Sequence, residues 1–512
     1  MTDQTTQESG ASTERANREA KLQALRQLGL DPYNAAKFPK SHKNQAVHEA
    51  YAHLQADERT EDAVAVAGRV MAIRNSGMFI DILDDTVKLQ VYTPKDQVQG
   101  EFAPIMKALD LGDIIGVEGK VRRTKRGEIT VDLSRIVVLA KALEPPPEKW
   151  HGLKNVEQRY RHREYDLIGN EDSRRTLRTR FRVIQAVRQF LTAPAQDFLE
   201  VETPMLHSIA GGAIAKPFVT HHNALDIPLY MRIAPELHLK RLVIGGLSEK
   251  VFEINRCFRN EGISPRHNPE FTTIELYQAY ADYADMMDIA ERIIEAAAIA
   301  ATGGTDVSFG EHTISFKRPF RRATMLELIQ EHSGFDLNLE ADQAKARQAL
   351  GAEAPKSADW GKLVEACFEH FVEPKLIQPT HVVELPKAIS PLAKANPARP
   401  EVAERFETFC NGWEIANAFS ELADPQEQRR RFEAQQEQRD AGDDEAHQVD
   451  EDFLKAQAAG MMPMGGLGVG IDRLVMLLTN SPTIREVIAF PTLRPRQHGE
   501  AASEGNAEGD ES

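Results

Sequence analysis

Between Val64 and Val138 the apolar residues recur at every second position. They fall into five short runs: Val64–Val70, Phe79–Leu83, Val87–Tyr92, Ile114–Val121 and Ile129–Val138. Turn signals separate them, among them Asn75-Ser76-Gly77, Asp84-Asp85 and Arg126-Gly127. A period of two sends alternate side chains to opposite faces of a sheet. Short strands of this kind bury a core by curling on themselves, so the runs predict a small five-stranded barrel.

Such a barrel is the OB-fold, which commonly binds oligonucleotides. Its last hairpin gathers Lys120, Arg122, Arg123, Lys125 and Arg126, a candidate phosphate-contacting loop that an exposed hairpin tip would also explain. The barrel module spans 59–145, and Pro145-Pro146-Pro147 opens a stiff linker over 146–164. Before the barrel, 14–58 reads as a helical extension. Leu22, Leu25 and Leu28 mark one helix, and Val47, Ala50, Tyr51 and Leu54 follow helical spacing in a second. Residues 1–13 are polar and read as disordered. Residues 165–496 form one large α+β region without an internal repeat. The segment 497–512 carries Glu500, Glu504, Glu508, Asp510 and Glu511 without Lys or Arg, and reads as a disordered acidic tail.

Composition constrains the remaining classes. The 512 residues hold 62 Lys+Arg against 78 Asp+Glu, a net charge of −16, so overall basicity gives no hint of nucleic acid. Five of those negative charges lie in the tail. No apolar run approaches the roughly 18 residues of a membrane helix. The opening MTDQTTQESG shows no apolar secretory core. Cys257, Cys367 and Cys410 lack CxxC spacing, which argues against a zinc site or disulfide framework and fits a reducing cytosol.

The large region contains three motifs. In Phe181–Leu206, Phe181, Ile184, Val187 and Leu191 mark a helix face, and FLEVETP reads as a strand stopped by Pro204. Taken alone this is an ordinary packing unit. Val251–Tyr277 reads as strand, loop, strand. Alternation sends Phe271, Thr273, Glu275 and Tyr277 to one side, and Thr272, Ile274 and Leu276 to the other. Arg259 and Glu261 flank the loop, and a planar guanidinium suits bidentate phosphate contact. The third motif is GGLGVGIDRLVMLL from Gly465. Its glycines allow close backbone approach to a ligand before a helix starting near Ile471. It matches neither the dinucleotide fingerprint nor the P-loop.

The three motifs in this order resemble the signatures of class II aminoacyl-tRNA synthetases. A barrel in front narrows the resemblance to the aspartate, asparagine and lysine subgroup. FRNEG, RHNPEFT, GGLGVGIDR, IAPELHLKRLVIGG and NAFSEL are similar to the bacterial-type lysyl-tRNA synthetase family, from about Val64 to Pro495. The resemblance implies a catalytic domain on a mixed, mainly antiparallel sheet flanked by helices. It implies a cytoplasmic homodimer, joined through Phe181–Leu206, that uses lysine, ATP, Mg²⁺ and tRNA(Lys). It implies that Arg259 grips the α-phosphate and the substrate carboxylate, that Glu261 holds the adenine amino group, and that Phe271 stacks on the base. His267 and Asn268 would sit by the triphosphate and adenosine, and Arg473 by the γ-phosphate and base. Glu407 and Glu414 would hold Mg²⁺, a hard cation that prefers oxygen ligands.

The pocket residues argue for a cationic substrate on their own chemistry. An ammonium that loses water needs paired carboxylates. Asn417, Phe419 and Glu421 alternate to one side, Glu275 and Tyr277 can face them, and Glu236 adds negative charge. By resemblance Glu421 and Tyr277 take the ε-ammonium, Glu236 and Glu275 the α-amino end, and Phe419 the aliphatic stem. Gly212 would let backbone approach the amino-acid end. Plain alternation places Glu414 opposite Asn417, so its metal role requires a bulge or a turn end. On the barrel, the resemblance assigns anticodon reading to Phe79, Gln90 and Arg74, an aromatic and an amide suiting the faces and edges of unpaired bases.

Two other classes remain on the sequence: a paralogue that activates an amino acid but modifies a protein, and a non-catalytic RNA-binding regulator. The barrel weighs against the first. Arg259, Glu407, Glu414 and Arg473 weigh against the second. The chain departs from the family at ELADP, where Ala423 replaces Asn, at RHREYDL before the first motif, and at Lys216 after the GGA segment.

Overall fold

The computed structural model describes residues 2–34, 37–146, 153, 155–209, 211–213, 215–357, 359–440 and 448–495. The expected acidic tail, 497–512, lies outside them, as do 147–152 and 154 of the expected linker. The chain divides into two compact units, one comprising Met1–Glu171 with Arg494–Ser512, the other Asp172–Leu493.

The first unit opens with helix α1 (Thr2–Gln27) and the short α2 (Asn44–Ala50). The helix therefore begins inside the segment 1–13 expected to be disordered. Once a helix is nucleated, each added residue gains a hydrogen bond without a new nucleation cost, so it extends into polar sequence. Leu22 and Leu25 are buried, whereas Leu28 is exposed because the chain leaves the helix at Gln27. Five strands follow: β1 (Arg59–Arg74), β2 (Phe79–Leu83), β3 (Lys88–Tyr92), β4 (Ile114–Arg123) and β5 (Ile129–Ala140). They close in the order β1-β2-β3-β5-β4 as the expected barrel. Val66, Ile80, Ile82, Val91, Val117 and Val131 fill it, and Leu25, Val47, Tyr51 and Leu54 pack against it from the helical extension. Lys141 is buried between Asp110 at 2.5 Å and Asp113 at 2.7 Å, and Lys21 of α1 reaches the same Asp110. Two short helices, Val156–Arg161 and Arg163–Gly169, occupy part of the span read as linker and the start of the large region.

The second unit begins with α3 (Glu171–Thr192) and the two-residue β6 (Leu199–Glu200). FLEVETP is thus strand for only two residues. Val201 adds one bond to Phe252, and Pro204 removes a donor just beyond. The buried face of α3 is Val183, Val187 and Leu191, while Phe181 is 58% exposed, contrary to the face expected. Further along come α4 (Glu236–Ile244), β7 (Lys250–Phe258), β8 (Glu270–Ala279), α5 (Tyr283–Thr302) and β9 (Arg321–Thr324). Helices α6 (Met325–Ser333), α7 (Glu340–Leu350) and α8 (Trp360–Phe371) share a separate small core. Then follow β10 (Thr380–Val383), β11 (Arg405–Cys410), β12 (Trp413–Ser420), α9 (Pro425–Asp440), α10 (Glu451–Ala458), β13 (Met464–Gly470) and α11 (Ile471–Leu478).

One eight-stranded sheet runs β9-β10-β11-β12-β13-β8-β7-β6. It is mainly antiparallel, with parallel pairs at β9/β10 and β7/β6. One face is apolar: Phe252, Ile274, Leu276, Phe406, Ala416, Ala418, Leu467 and Val469 pack under α3, α5 and α11. The α+β class is therefore as expected. Among the described residues no helix is long and apolar enough to cross a membrane.

Candidate functional site

The other face of the large sheet carries a cavity of about 370 Å³. Pairing of β13 with β8 and β12 explains its shape. Gly466 lies between Tyr277 and Phe419, and Gly468 between Glu275 and Asn417. A Cβ on Gly466 would overlap a carboxylate oxygen of Glu421 and the Tyr277 ring. The glycines of the third motif are thus the floor of a pocket in mid-strand, while Leu467 and Val469 point into the core. The turn from Gly470 into α11 then sets Arg473 at the rim.

Every pocket residue expected from the sequence except Glu421 lines this one cavity. They are Gly212, Glu236, Arg259, Glu261, His267, Asn268, Phe271, Glu275, Tyr277, Glu407, Glu414, Asn417, Phe419 and Arg473. Alternation on β8 holds as read: Phe271, Thr273, Glu275 and Tyr277 face the cavity, and Ile274 and Leu276 are fully buried beneath. Gly212 has φ +90°, and a Cβ there would come within 3.2 Å of Ala234 and Glu236.

One end of the cavity is built on two arginines and an imidazole. Arg259 stacks over Phe271, its guanidinium carbon 5.0 Å from the ring centroid. Its Nε is buried and donates to nothing among the described residues. Arg473 donates to the Glu414 carbonyl at 2.8 Å and stands 3.1 Å from His267 Nε2. Burial, aided by the neighbouring Arg473 charge, lowers the His267 pKa. Asn268 is spent on bracing the loop: it donates to the Glu270 carbonyl at 2.6 Å and accepts from the Thr492 amide at 3.3 Å.

A bulge resolves the orientation of Glu414. The β11/β12 ladder pairs Glu407 with Asn417 and Thr408 with Ala416, then shifts so that Phe409 pairs with Glu414. The extra residue, Ile415, reverses parity and brings Glu414 to the cavity side with Glu407. Burial raises the Glu407 carboxyl to about 7, Arg405 opposing and Glu414 adding to the rise.

The other end of the cavity is acidic. Burial pushes Glu275 up to about 8, with the Glu236 charge adding, while the Tyr277 hydroxyl donates to it at 3.2 Å. Glu421 is 2% exposed and backs the cavity without lining it, because its carboxylate is paired with Lys240. Lys240 also donates to Glu236 at 2.5 Å.

The profile of the family described as tRNA synthetases class II (D, K and N) matches residues 155–494. An OB-fold nucleic acid binding domain profile matches residues 64–139. The chain is 51% identical to a lysine–tRNA ligase of Rhizobium meliloti (strain 1021), over 97% of this chain and all of that protein. It is 52% identical to a lysine–tRNA ligase of Moorella thermoacetica, covering 93% and 97%. For one of Agrobacterium fabrum the identity is 49%, covering 96% and 99%. The chain belongs to the lysine–tRNA ligase family.

In this lysine–tRNA ligase family chain the barrel carries a second patch. Arg74 pairs across the sheet with Phe79, Phe79 with Tyr92, and Asp81 with Gln90. All stand on the outer face, since Ile80 and Ile82 take the core positions of β2. Phe79 is therefore not barrel core. Its ring lies 5.1 Å from Tyr92, and Arg122 stacks on Tyr92 at 4.4 Å. Arg74 makes a two-pronged bond to Asp81 at 2.7 Å, and Gln90 accepts from Thr130 at 3.0 Å. The basic hairpin is largely tied to its own chain: Lys120 to Glu61, Arg122 to Asp132, Arg123 to the Leu54 and Gly127 carbonyls, and Lys125 to Asp57.

Sequence reasoning missed Arg405, Lys240 and Tyr92. Arg405 holds Asn417 at 3.0 Å and Glu407 at 2.6 Å. Its signal was its parity with Glu407, two residues on. Tyr92 ends β3 on the same face as Gln90. Lys240 sits one helical turn after Glu236, a spacing that pairs charges on one helix face.

Proposed function

We propose that this lysine–tRNA ligase works on the cavity in two steps. The lysine carboxylate attacks the α-phosphate of ATP and pyrophosphate leaves, and a terminal ribose hydroxyl of tRNA(Lys) then takes the lysyl group from AMP. The nucleophile is already ionised, so positioning and electrostatic stabilisation dominate. Arg259 meets the carboxylate and α-phosphate with its unpartnered Nε, and its stacking on Phe271 fixes its plane. Phe271 and Arg473 enclose the adenine, Glu261 takes its amino group, and Arg473 with neutral His267 receives the γ-phosphate end. Asn268 acts by holding the loop in place.

Glu407 and Glu414 offer only oxygen donors, and burial together with their mutual repulsion disfavours two bare negative charges. That donor set fits Mg²⁺, which takes one or two carboxylates plus phosphate oxygens. Bound there with ATP, Mg²⁺ supplies charge neutralisation on the phosphates. Arg405 orients Glu407 for it.

Glu236 and Glu275 suit the α-amino group, Phe419 the aliphatic stem, and Tyr277 with Glu421 the ε-ammonium. The glycine floor leaves room for a long chain, and aspartate would be repelled. Phe79, Gln90 and Arg74 form the anticodon reader, extended by Tyr92. Phe181, Leu199, Met205 and Leu206 are large apolar residues left exposed, and a second copy of the chain covers them. The reaction belongs in the cytosol, where the buried thiols Cys257, Cys367 and Cys410 stay reduced; recovery of the chain outside the cytosol on cell fractionation overturns that placement.

The observation that carries this reading is the convergence of residues from five separate segments on one cavity, with acid at one end and arginine at the other. Lysine-dependent exchange of pyrophosphate into ATP, followed by charging of tRNA(Lys), tests it. Exchange without charging favours a protein-modifying paralogue, and no exchange with any amino acid favours a regulator.

A further inference from the structure

A lysine of the chain itself is buried against the pocket meant for lysine. Lys240 lies on α4, one turn after Glu236, and is 1% exposed. Its ammonium donates to Glu236 at 2.5 Å and pairs with Glu421 from the end of β12. The rings of Tyr277, Phe419 and Phe453 surround it at 5.7, 5.3 and 5.8 Å. Beyond that ion pair, neither Glu421 oxygen accepts a hydrogen bond among the described residues, although both are buried.

Packing alone does not call for this arrangement. A buried ion pair is often matched in stability by apolar residues of similar volume, whereas removing one partner leaves an uncompensated charge. The position matters because Glu236 and Glu421 stand on different elements, and Lys240 is the group that bridges them. It also sets the charge of the pocket. Glu236, Glu275 and Glu421 bring three carboxylates, and Glu253 nearby is already matched by Arg232 at 2.7 Å. Once the incoming lysine draws the proton off Glu275, one internal ammonium leaves two negative charges for the two ammonium groups of free lysine.

We propose that Lys240 is a positioning residue for substrate selection: its ammonium bridges Glu236 to Glu421 and fixes both carboxylates so that the pocket accepts one further, incoming side-chain ammonium. The inference rests on the reading of the cavity as a lysine site. It commits that reading to a template in which one lysine prepares the place of another, with Phe419 and Tyr277 shared between the two cations.

Steady-state pyrophosphate exchange on the full chain separates the two claims. Wild-type protein without lysine-dependent exchange defeats the reading of the cavity, whatever Lys240 does. With that activity present, Lys240→Met is expected to raise the KM for lysine about ten-fold or more while leaving the KM for ATP within about two-fold. Because Lys240 acts through Glu421, adding K240M to an E421Q background is expected to raise the lysine KM by less than about two-fold, a strongly non-additive pair. The double variant removes opposite charges together and so keeps the buried cluster balanced, and its comparison with E421Q stands even where K240M alone does not fold. Equal effects on both substrates, or the same loss in both backgrounds, overturn the proposal and leave Lys240 a packing residue.

Discussion

Arg259 shows what a single side chain can be asked to do. Its plane is set by Phe271 and its Nε has no acceptor among the described residues, so it is poised for an anion. Losing one such preorganised donor costs about 10²–10³-fold in rate. Arg259→Ala is therefore expected to lower exchange by about that factor, with an unchanged thermal melt; near-normal exchange would contradict the assigned role. Glu275 supplies a pH signature. Its folded pKa is raised from 4.5 to about 8. The empty folded protein thus keeps a proton that the unfolded chain loses in that window. The stability it contributes is present below 4.5 and is lost as pH rises through about 8. Lysine favours the ionised form, so its binding near pH 7 is expected to expel a proton, and its affinity to rise from pH 5 to 8. Calorimetry in buffers of differing ionisation heat reads this directly. No proton release, or the same release from Glu275→Gln, excludes Glu275 as the source.

At the scale of elements, parity decides function. On β8 the alternation was legible from the sequence, and the structure places Phe271, Glu275 and Tyr277 in the cavity as read. On β12 it was not, because one inserted residue, Ile415, reverses the face and only pairing with β11 reveals it. The same holds for the glycines of β13. Their spacing was visible, but the reason for them, a floor between Tyr277 and Phe419, depends on strand neighbours distant in sequence. Strand β2 gives the test of the barrel face. With Ile80 and Ile82 in the core, Phe79 is free to stack on a base, a contact worth roughly 1–3 kcal/mol. Phe79→Ala is expected to leave exchange unchanged and to weaken charging about ten-fold through tRNA binding. Equal loss in both assays refutes a dedicated anticodon role.

Across the whole molecule, the barrel and the α+β catalytic region were readable because each rests on local periodicity. The two-residue β6 and the outward Phe181 were not, since tertiary packing and chain direction set them, and the helix reaching Thr2 was not, since propagation carries it into polar sequence. Net charge misleads as a guide to partners here. The total is −16, yet Arg259 and Arg473 line one end of the cavity, proposed for phosphate, and Glu236, Glu275 and Glu421 gather at the other, proposed for lysine. The exposed apolar residues between Phe181 and Leu206 predict a dimer in sedimentation, and Phe181→Asp is expected to shift it toward monomer; a wild-type monomer at micromolar concentration contradicts that surface. The account as a whole stands on substrate choice. Pyrophosphate exchange measured with each of the standard amino acids tests it most directly. Exchange that requires lysine, and is followed by charging of tRNA(Lys), is the predicted result; exchange driven equally by aspartate or asparagine, or by none, contradicts it.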